Sequence, residues 1–598
     1  MPNRYCRAFT SHYPFDAGAE LVYTPTSRRA EKTPSDVATL VQSCNRFRTF
    51  AEHSSSLRNG LSESEAQIIE KLRLHAATGL LISEEEFIAD CKRTANPEGN
   101  PPRIASIGAT TRNRPALLRR GLESFIDNAR CNSRSHDYIV VDDGTTEETS
   151  STKSALEELA QEREVTIRYA GRAARHAFAE GLAAEAGVAP EVVRFALLGD
   201  AASSITTGAA RNSLLLDTVG DAYLLVDDDS VCRVAPCPDH LPGLALDSRT
   251  NPTELWFYRD RDAMLRDTAF AEQDPLAAHE EILGRQVADC LPPASQAADV
   301  DFTYTSADFA EQLWSHPGRV LATSGGVVGD SGMGSTAYLA LPRDSQARLV
   351  RSEQGYISAV QNRQILRAPL RTTISRGTFC VGASLGLDNR VLLPPFVPVQ
   401  RNSDGLFART LLRCFRDGYK GYLAWAVLHD PLPPRAQSIE GAEADAVRIR
   451  LTHILRALIV PAEFTQSGDP GLDMRRLGEE MIEIASQRPE DFRHTIKPRI
   501  VKSAALYLEG IQQTMRPEVA AEFYTRRQKA YWQRLAEALT TEEYFLPRDL
   551  ANSDGAEEPL RAAQRVVLQF GRLLRDWTAI VAAAKVLRAR GERLAKPV

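Results

Sequence analysis

Short apolar runs alternate with segments of helical periodicity through the middle of the chain. Residues 104–108 have the composition of a buried strand, residues 110–114 resemble a polar loop, and Pro115 occupies the position of a first helical residue. The packed face of the predicted helix is marked by Leu118, Leu122, Phe125 and Ile126. A second strand is predicted at residues 138–141. Continued along the chain, this alternation predicts an α/β domain with a parallel-rich sheet over residues 103–435.

Two regions with different patterns flank this domain. Residues 1–95 form a small, mostly helical module, with strand-like stretches at 19–29 and 76–83. Helical spacing in this module joins Leu40, Val41, Cys44 and Phe47. Residues 440–598 are predicted to form a helical domain with apolar faces made of Val447, Leu451, Ile454, Leu455 and Leu458, and of Val566, Val567, Phe570, Leu573, Leu574 and Trp577. Boundary segments that contain Pro or Gly lie at 96–102 and 429–435.

Composition and charge exclude several classes of protein. A chain of 598 residues is too long for a single core. With 72 basic and 78 acidic residues, the net charge of −6 is unlike the basic excess of a nucleic-acid binder. The nine cysteines are scattered, which argues against a disulfide framework. Because the N-terminus lacks an apolar signal segment and no run approaches the roughly 18 apolar residues of a membrane helix, we expect a cytoplasmic protein without a transmembrane segment.

An acidic triplet follows a predicted buried strand in the segment 208–229. The mostly apolar residues 222–226 are followed directly by Asp227, Asp228 and Asp229. Carboxylates crowded at a strand end repel one another, and partial burial adds to that cost. A bound Mg²⁺ or Mn²⁺ removes both penalties, because hard cations take oxygen ligands from carboxylates and substrate phosphates. The triplet therefore predicts a metal–diphosphate site, whereas a solvated acidic turn is the plainer interpretation.

A second pair of acids, Asp142 and Asp143, follows the strand predicted at 138–141. Strand, polar loop, helix, strand and acidic loop together form the front half of a nucleotide-binding α/β fold. Three segments then resemble the family 2 glycosyltransferases, which have the GT-A fold and a DxD motif. They are TTRNRPALLRRGLESFI, YIVVDDGTTEET and GAARNSLLLDTVGDAYLLVDDDS. The resemblance is clear over residues 103–232 and weaker to about residue 430.

The resemblance implies roles for the residues that match the family's motifs. It assigns contacts with the base and ribose of a nucleotide sugar to Thr110, Arg112, Asp142 and Asp143. Arg211 and Asn212 would orient the nucleotide or the acid cluster. Asp227 and Asp229 form the DxD, with Asp228 between them at the diphosphate. Asp229 is the expected direct ligand of a divalent cation, Mn²⁺ or Mg²⁺, and the cation would stabilise the leaving diphosphate.

The family also implies a general base and a late histidine. Asp404 matches the base, although Ser403 stands where the family has a neighbouring acid. Asp388 is the second candidate for the base, and its plainer interpretation is a turn residue. His429 matches a histidine that is an additional metal ligand in some GT-A enzymes, but a lone histidine after an apolar strand is also compatible with a structural role. The implied reaction is an inverting single displacement.

The flanking regions leave the acceptor open. Residues 1–95, with the segment CNRFRTFAEH, resemble the small winged-helix domains of the PqqD type, which bind leader peptides; the alternative is a helical cap on the catalytic domain. A peptide-binding module would imply a peptide acceptor, and otherwise a glycan or lipid-linked sugar is expected. The C-terminal helices could pack against the catalytic domain, shape the acceptor cleft or form a dimer interface.

Two other functions compete with glycosyl transfer. A nucleotidyltransferase also uses an acid-held cation, but usually has a glycine-rich first loop, and TTRNRP contains no glycine. A peptide-binding protein with a degenerate transferase domain remains compatible with the missing acid beside Asp404. The glycine-rich segment 324–335 is interpreted as a flexible loop or a lid, and it lacks the P-loop pattern.

Overall fold

The computed structural model describes most of the chain. The described residues are 3–16, 18–24, 29–57, 63–94, 101–144, 146–200, 203–439, 447–460, 466–515, 521–550 and 558–598. Residues 95–100, which contain most of the first predicted boundary segment, lie outside these ranges. Within these ranges, no helix has both the length and the apolar character needed to cross a membrane.

The N-terminal module contains more strand than the helical periodicity predicted. Its elements are β1 (Tyr5–Arg7), β2 (Ser11–Asp16), β3 (Ala19–Thr24), β4 (Arg29–Pro34), α1 (Ser35–Ser43), α2 (Phe50–Leu57), α3 (Glu65–Ala77), β5 (Leu81–Ser83) and α4 (Glu84–Thr94). Strands β2, β3 and β4 form an antiparallel sheet, and β1 pairs with β5. Strands β3 and β5 confirm the strand-like stretches over 19–24 and 81–83, residues 25–28 lie outside the described residues, and Ala76 and Ala77 still belong to α3. Helix α1 ends at Ser43, so Cys44 and Phe47 lie outside a helix.

The first half of the central domain is a parallel α/β unit. Its elements are β6 (Ile104–Thr111), α5 (Pro115–Cys131), β7 (Asp137–Asp142), α6 (Thr146–Arg163), β8 (Ile167–Ala170), α7 (Arg172–Ala186), α8 (Pro190–Leu198), α9 (Thr207–Asp217) and β9 (Ala222–Asp227). The parallel strands lie in the order β8-β7-β6-β9. The chain therefore reverses its direction of strand addition between β6 and β9, and ligands of open α/β sheets bind at the carboxyl ends beside such a point.

The second half extends the same sheet with strands of both directions. Its elements are β10 (Ser230–Pro236), β11 (Leu244–Asp247), β12 (Glu254–Phe257), α10 (Arg261–Asp267), α11 (Pro275–Glu280), α12 (Val287–Cys290), β13 (Val300–Asp301), α13 (Ala307–Ser315), β14 (Arg319–Asp330), α14 (Arg343–Leu349), α15 (Glu353–Asn362), β15 (Gln364–Ala368), β16 (Thr372–Ser375), β17 (Ser384–Asp388), α16 (Ser403–Cys414) and β18 (Gly418–His429). Strand β17 pairs antiparallel with both β9 and β14, and β14 pairs parallel with β18. The α/β class is thus confirmed, with a sheet that is mixed rather than purely parallel.

The glycine-rich segment is strand in its first half, and the loop prediction there is wrong. Residues 324–330 belong to β14 and are buried. A Cβ atom on Gly325 would lie 2.8 Å from the hydroxyl oxygen of Ser384, and one on Gly326 would lie 2.5 Å from the carbonyl oxygen of Arg367. Glycine is needed here because neighbouring strands approach closely, and not because the backbone has to move.

The C-terminal region consists of helices that pack on the central domain. Its elements are α17 (Leu451–Ile459), α18 (Pro470–Ala485), α19 (Pro489–Thr514), α20 (Glu522–Ala538), α21 (Pro559–Ala589) and the short strand β19 (Lys596–Pro597). Strand β19 pairs with β8 at the edge of the central sheet. The fully buried Trp577 donates a hydrogen bond of 2.7 Å to the carbonyl of Leu393. One apolar core joins these helices to the central sheet.

The N-terminal module also rests on the central domain through aromatic side chains. The ring centroids of Phe47 and Phe302 are 4.8 Å apart, and those of Phe9 and Trp314 are 5.3 Å apart. Arg7 forms an ion pair with Asp308 beside this contact. These contacts agree with the interpretation of the module as a cap on the central domain.

Candidate metal and nucleotide site

The two acidic segments meet on either side of β6. Thr110 lies opposite Asp227 on one neighbouring strand and opposite Val141 on the other. The hydroxyl of Thr111 donates a 2.8 Å hydrogen bond to Asp228, and the backbone carbonyl of Thr111 accepts one of 3.0 Å from the N–H of Asp143. The predicted polar loop at 110–114 is therefore corrected, because β6 continues to Thr111 and pairs with both acidic strand ends.

His429, at the end of β18, lies against the acid triplet. Its Nε2 atom is 2.9 Å from Oδ1 of Asp229, and its Nδ1 atom donates to the carbonyl of Asp330 at 2.6 Å. Ligand atoms of Asp227, Asp229 and His429 all lie within 4.8 Å of one another. Two carboxylates and an imidazole form a donor set of the kind that divalent cations such as Mn²⁺ accept, so these residues fit the predicted metal.

Basic side chains accompany every carboxylate of the triplet. Arg211 donates to Asp227 at 3.0 Å, and Arg114 donates to Asp228 at 3.2 Å. Arg435 donates to Asp229 at 2.9 Å. The side chains of Arg114 and Arg435 remain 44% and 35% exposed, so both can also reach a ligand at the mouth of the site.

The surroundings of Asp228, Asp229 and His429 shift their pKa values in different directions. Burial, together with the neighbouring Asp229, raises the pKa of Asp228 to about 6. Burial also opposes ionisation of Asp229, but His429 and Arg435 outweigh it and lower the pKa of that carboxyl to about 2. Burial likewise opposes the charged form of His429, but Asp229 outweighs it and raises the pKa of the imidazole to about 9. A cation that uses His429 must therefore displace a proton.

Asp404 is joined to the triplet through Arg211. The guanidinium of Arg211 donates to Ser403 at 3.0 Å and lies 3.9 Å from Oδ2 of Asp404, while its other nitrogen binds Asp227. Oδ2 of Asp404 also accepts a 3.0 Å hydrogen bond from the N–H of Gly382, and its side chain is 17% exposed. Ser403, which replaces the expected neighbouring acid, begins helix α16, so Asp404 lies in a first helical turn and not in a preceding loop.

The predicted nucleotide-binding residues after β7 are largely satisfied by the protein. Asp142 is fully buried and accepts hydrogen bonds from the N–H of Gly144 at 2.9 Å and from Tyr169 at 3.3 Å. Asp143 binds the buried Arg175 at 2.7 Å. The contacts of Asp143 are completed by Arg172 and Thr206. These carboxylates thus fix the shape of the loop at the strand end.

Two predicted residues, Arg112 and Asn212, lie in different surroundings. Arg112 is exposed and donates to the carbonyl of Ser204 at 2.5 Å, beside the β7 loop. Asn212 lies inside α9 with no exposed surface, and among the described residues its amide bonds backbone groups of Ala196 and Phe396. The side chain of Asn212 therefore braces the segment at Phe396, and its predicted role in orienting a ligand is corrected to a structural one.

Asp388 and Asp430 are structural residues. Asp388 pairs in register with Ala222, at the amino end of β9 and thus at the opposite end of the strand from Asp227. Its two oxygens bind Arg390 at 2.6 and 3.0 Å. The carboxylate of Asp430 binds Arg261 at 2.7 and 2.8 Å. Asp388 is thereby excluded as the general base, and the carboxylate of Asp430 is occupied by Arg261.

The sequence analysis identified Arg211 but missed three other arginines that bind the acidic residues of the site. Arg114 was visible in the first loop, directly before Pro115, but carried no assignment. Arg435 lies in the proline-containing segment interpreted as a boundary. Arg175 is one of many charged residues in a helical pattern, and nothing in the local sequence marks it as the partner of Asp143.

No protein-family model, no curated protein and no solved structure matches this chain. The family resemblance therefore stays a prediction that depends on the three quoted segments and on the geometry of the site.

Proposed function

We propose that the protein is a metal-dependent inverting glycosyltransferase that moves a sugar from a nucleotide-diphosphate sugar to an acceptor. The observation that carries this proposal is the cluster of Asp227, Asp229 and His429, whose ligand atoms lie within 4.8 Å of one another. The cluster stands at the carboxyl ends of β9 and β18, beside the point where the strand order reverses. Open α/β sheets bind phosphorylated ligands at this position.

The metal-binding residues and the two partly exposed arginines beside them would bind different parts of the metal–diphosphate unit. Asp227, Asp229 and His429 would hold Mn²⁺ or Mg²⁺, which when bound supplies positive charge to the leaving diphosphate. Arg114 and Arg435 present partly exposed guanidinium groups, which suit phosphate oxygens because the planar fork donates two parallel hydrogen bonds. Phosphate binding would exchange their present partners, Asp228 and Asp229, for ligand oxygens.

The loop after β7 would receive the nucleoside. Asp142 ends β7 and Asp143 begins this loop, while Thr110 lies opposite Val141 of β7 and Arg112 donates to the carbonyl of Ser204. Because both carboxylates are already anchored, the loop is pre-organised, and binding would order few additional side chains.

Asp404 would act as the general base of a single displacement. The acceptor hydroxyl oxygen forms a bond to the anomeric carbon as the bond from that carbon to the diphosphate oxygen breaks. The hydroxyl proton passes to the carboxylate of Asp404, and the electron pair of the broken bond stays on the diphosphate. Attack from the face opposite the leaving group inverts the anomeric configuration. Arg211 holds the base and the metal-binding Asp227 in one arrangement.

The acceptor is assigned only by class. A peptide is the acceptor if residues 1–95 bind a leader segment, and otherwise a glycan or a lipid-linked sugar takes this role. The module's aromatic contact with Phe302 fixes it on the central domain, so a leader segment bound to the module would be tethered to that domain.

A thermal-shift screen with nucleoside diphosphates, with and without Mn²⁺, tests the proposal. A ligand that binds only the folded state raises the apparent midpoint of unfolding. We expect one nucleotide to give a shift that requires Mn²⁺ and that disappears in Asp229→Asn. The exposed Asp344 provides the matched control Asp344→Asn, which should keep the full shift. Absence of a metal-dependent shift with every nucleotide would overturn the assignment.

A further inference from the structure

Arg367 is a half-buried cation without an acidic partner in the described part of the chain. Its Nε atom donates to the hydroxyl of Thr253 at 2.8 Å, and Nη1 contacts the sulfur of Met333 at 3.6 Å. The guanidinium carbon lies 3.6 Å from the ring centroid of Phe379. The half-buried side chain therefore contacts one neutral hydrogen-bond acceptor (Thr253), one weak acceptor (the Met333 sulfur) and one aromatic ring (Phe379).

A small cavity lies beside this guanidinium. Arg367 lines it together with Thr253, Ser324, Phe379 and Val381, and its volume is about 10 Å³. This is room for about one water-sized atom, so a single oxygen of a ligand fits and a sugar ring does not. Val381 directly precedes Gly382, whose N–H donates to Asp404, so the cavity is adjacent to the candidate base.

A second buried cation reinforces the positive charge around Phe379. Lys420 has no exposed surface, and its Nζ atom donates to the carbonyl of Phe379 at 2.5 Å and to the hydroxyl of Tyr422 at 3.3 Å. Burial lowers the pKa of Lys420 and brings the pKa of Arg367 down to about 9. Cations held away from water in this way are costly unless an opposite charge compensates them.

We propose that Arg367 and its cavity form a subsite that takes one oxygen of an anionic group of the acceptor, a carboxylate or a phosphate, whose other atoms stay outside the cavity. The subsite is named as an acceptor site on the basis of the proposed function. Asp229 accepts a hydrogen bond from Arg435, and its ligand atom lies within 4.8 Å of that of Asp227. Arg211 binds Asp227 and lies 3.9 Å from Asp404, and Asp404 accepts from the N–H of Gly382, the chain neighbour of Val381 in the cavity wall. Arg435, which is proposed to bind the diphosphate, lies at one end of this series of residues and Arg367 at the other, with Asp404 between them. An acceptor anchored by its anionic group would thus present a hydroxyl to Asp404.

The test measures anion binding without knowledge of the acceptor. The unfolding midpoint is recorded in increasing inorganic phosphate and, separately, acetate at constant ionic strength, for the wild type, Arg367→Gln and Arg351→Gln. Arg351 is an exposed arginine and serves as the matched control. We expect Arg367→Gln to weaken the apparent affinity for at least one anion by about tenfold or more, because a charge-assisted hydrogen bond is lost. Equal affinity of the wild type and Arg367→Gln would overturn the subsite.

A second variant and a second titration distinguish loss of the subsite from misfolding and from anion binding at the diphosphate site. Thr253→Val leaves Arg367 in place but removes the hydroxyl that orients it, so weaker anion binding in this variant supports the subsite even if Arg367→Gln does not fold. The titration is repeated with the nucleoside diphosphate and Mn²⁺ bound, and an Arg367-dependent shift that persists places the subsite apart from the diphosphate. If no nucleotide binds but the Arg367-dependent shift remains, the proposed function and the acceptor assignment are wrong, whereas the anion-binding site is supported.

Discussion

The imidazole of His429 is held between a carboxylate and a backbone carbonyl. Its Nε2 atom lies 2.9 Å from Oδ1 of Asp229, and its Nδ1 atom donates to the carbonyl of Asp330 at 2.6 Å. The hydrogen bond from Nδ1 fixes the ring so that Nε2 points at the acid triplet, which is the orientation needed for a metal ligand. His429 ends β18, and Asp229 lies in the turn after β9. The order of these strands in the sheet therefore brings the two side chains together.

Replacement of Asp229 by asparagine is expected to weaken metal-dependent nucleotide binding strongly. The substitution keeps the shape of the side chain but removes the negative charge that faces both His429 and Arg435. Loss of a charged ligand should weaken Mn²⁺-supported nucleotide binding by about a hundredfold, the upper part of the range for changes around metal ligands. Isothermal titration with and without Mn²⁺ measures this. An Asp229→Asn protein that binds nucleotide as Asp344→Asn does would contradict the ligand role.

Asp404→Asn is expected to separate chemistry from binding. Asparagine keeps an oxygen that can accept the hydrogen bond from Gly382, but it has no basic carboxylate. Transfer should fall by about 10²–10⁴-fold, the typical contribution of a general base, with donor binding unchanged. Release of nucleoside diphosphate from the donor identified by thermal shift measures turnover. Wild-type turnover in this variant would move the base to another residue, and loss of donor binding would make Asp404 a structural partner of Arg211.

The buried ion pair between Arg175 and Asp143 should be important for stability. Arg175 has no exposed surface and donates to Asp143 at 2.7 Å. Arg175→Met leaves Asp143 buried beside the partly exposed Arg172 alone, and removal of one partner from a buried pair typically costs about 3–5 kcal/mol. Urea unfolding of the single variants and of Arg175→Met/Asp143→Asn forms a double-mutant cycle. We expect the double variant to recover part of the loss, whereas additive losses would mean that the two residues are not coupled.

His279 should make the protein sensitive to mild acid. The side chain is buried, its two ring nitrogens contact the hydroxyls of Thr323 at 2.7 Å and Ser384 at 3.1 Å, and burial lowers its pKa to about 3. Between this pKa and the unfolded value near 6.5, the unfolded chain binds more protons than the folded protein, so stability falls as the pH falls. From pH 6.5 to pH 5 this group alone removes about 2 kcal/mol from the free energy of unfolding.

The variant His279→Gln isolates this effect. Its free energy of unfolding should change less between pH 6.5 and pH 5 than that of the wild type, although its stability at neutral pH is lower. His494 is exposed, and His494→Gln is the matched control that should follow the wild-type pH profile. Equal pH dependence in all three proteins would show that His279 is not the group responsible.

Several elements of the fold could be predicted from local sequence. Pro115 begins α5 as expected, because its fixed φ and missing N–H suit a first helical position. The strand predicted at 138–141 is observed as Asp137–Asp142, one residue longer at each end. The acids Asp227 to Asp229 do follow a buried strand, since an apolar run before a polar one marks a strand end within a few residues.

Local sequence failed where polar residues or glycines pair with distant strands. Thr110 was placed in a loop because it is polar, but it lies in β6 opposite Asp227. Residues 324–330 were interpreted as flexible because of their glycines, but they form the buried end of β14 against β15, β17 and β18. In both cases the strand is stabilised by neighbours that no short window of sequence contains.

The chemical groups of the candidate site are readable from local sequence: an acidic triplet at a strand end, an aspartate after a later extended segment, and a histidine at the end of another apolar run. Which of these groups meet depends on the fold. Arg211 reaches Ser403 across 192 residues of chain, and Arg435 reaches Asp229 across 206. It also placed Asp388 at the wrong end of β9 and directed Asn212 toward backbone groups. The physical reason is that such contacts depend on strand order and register, which are fixed by packing over the whole domain and not by local periodicity.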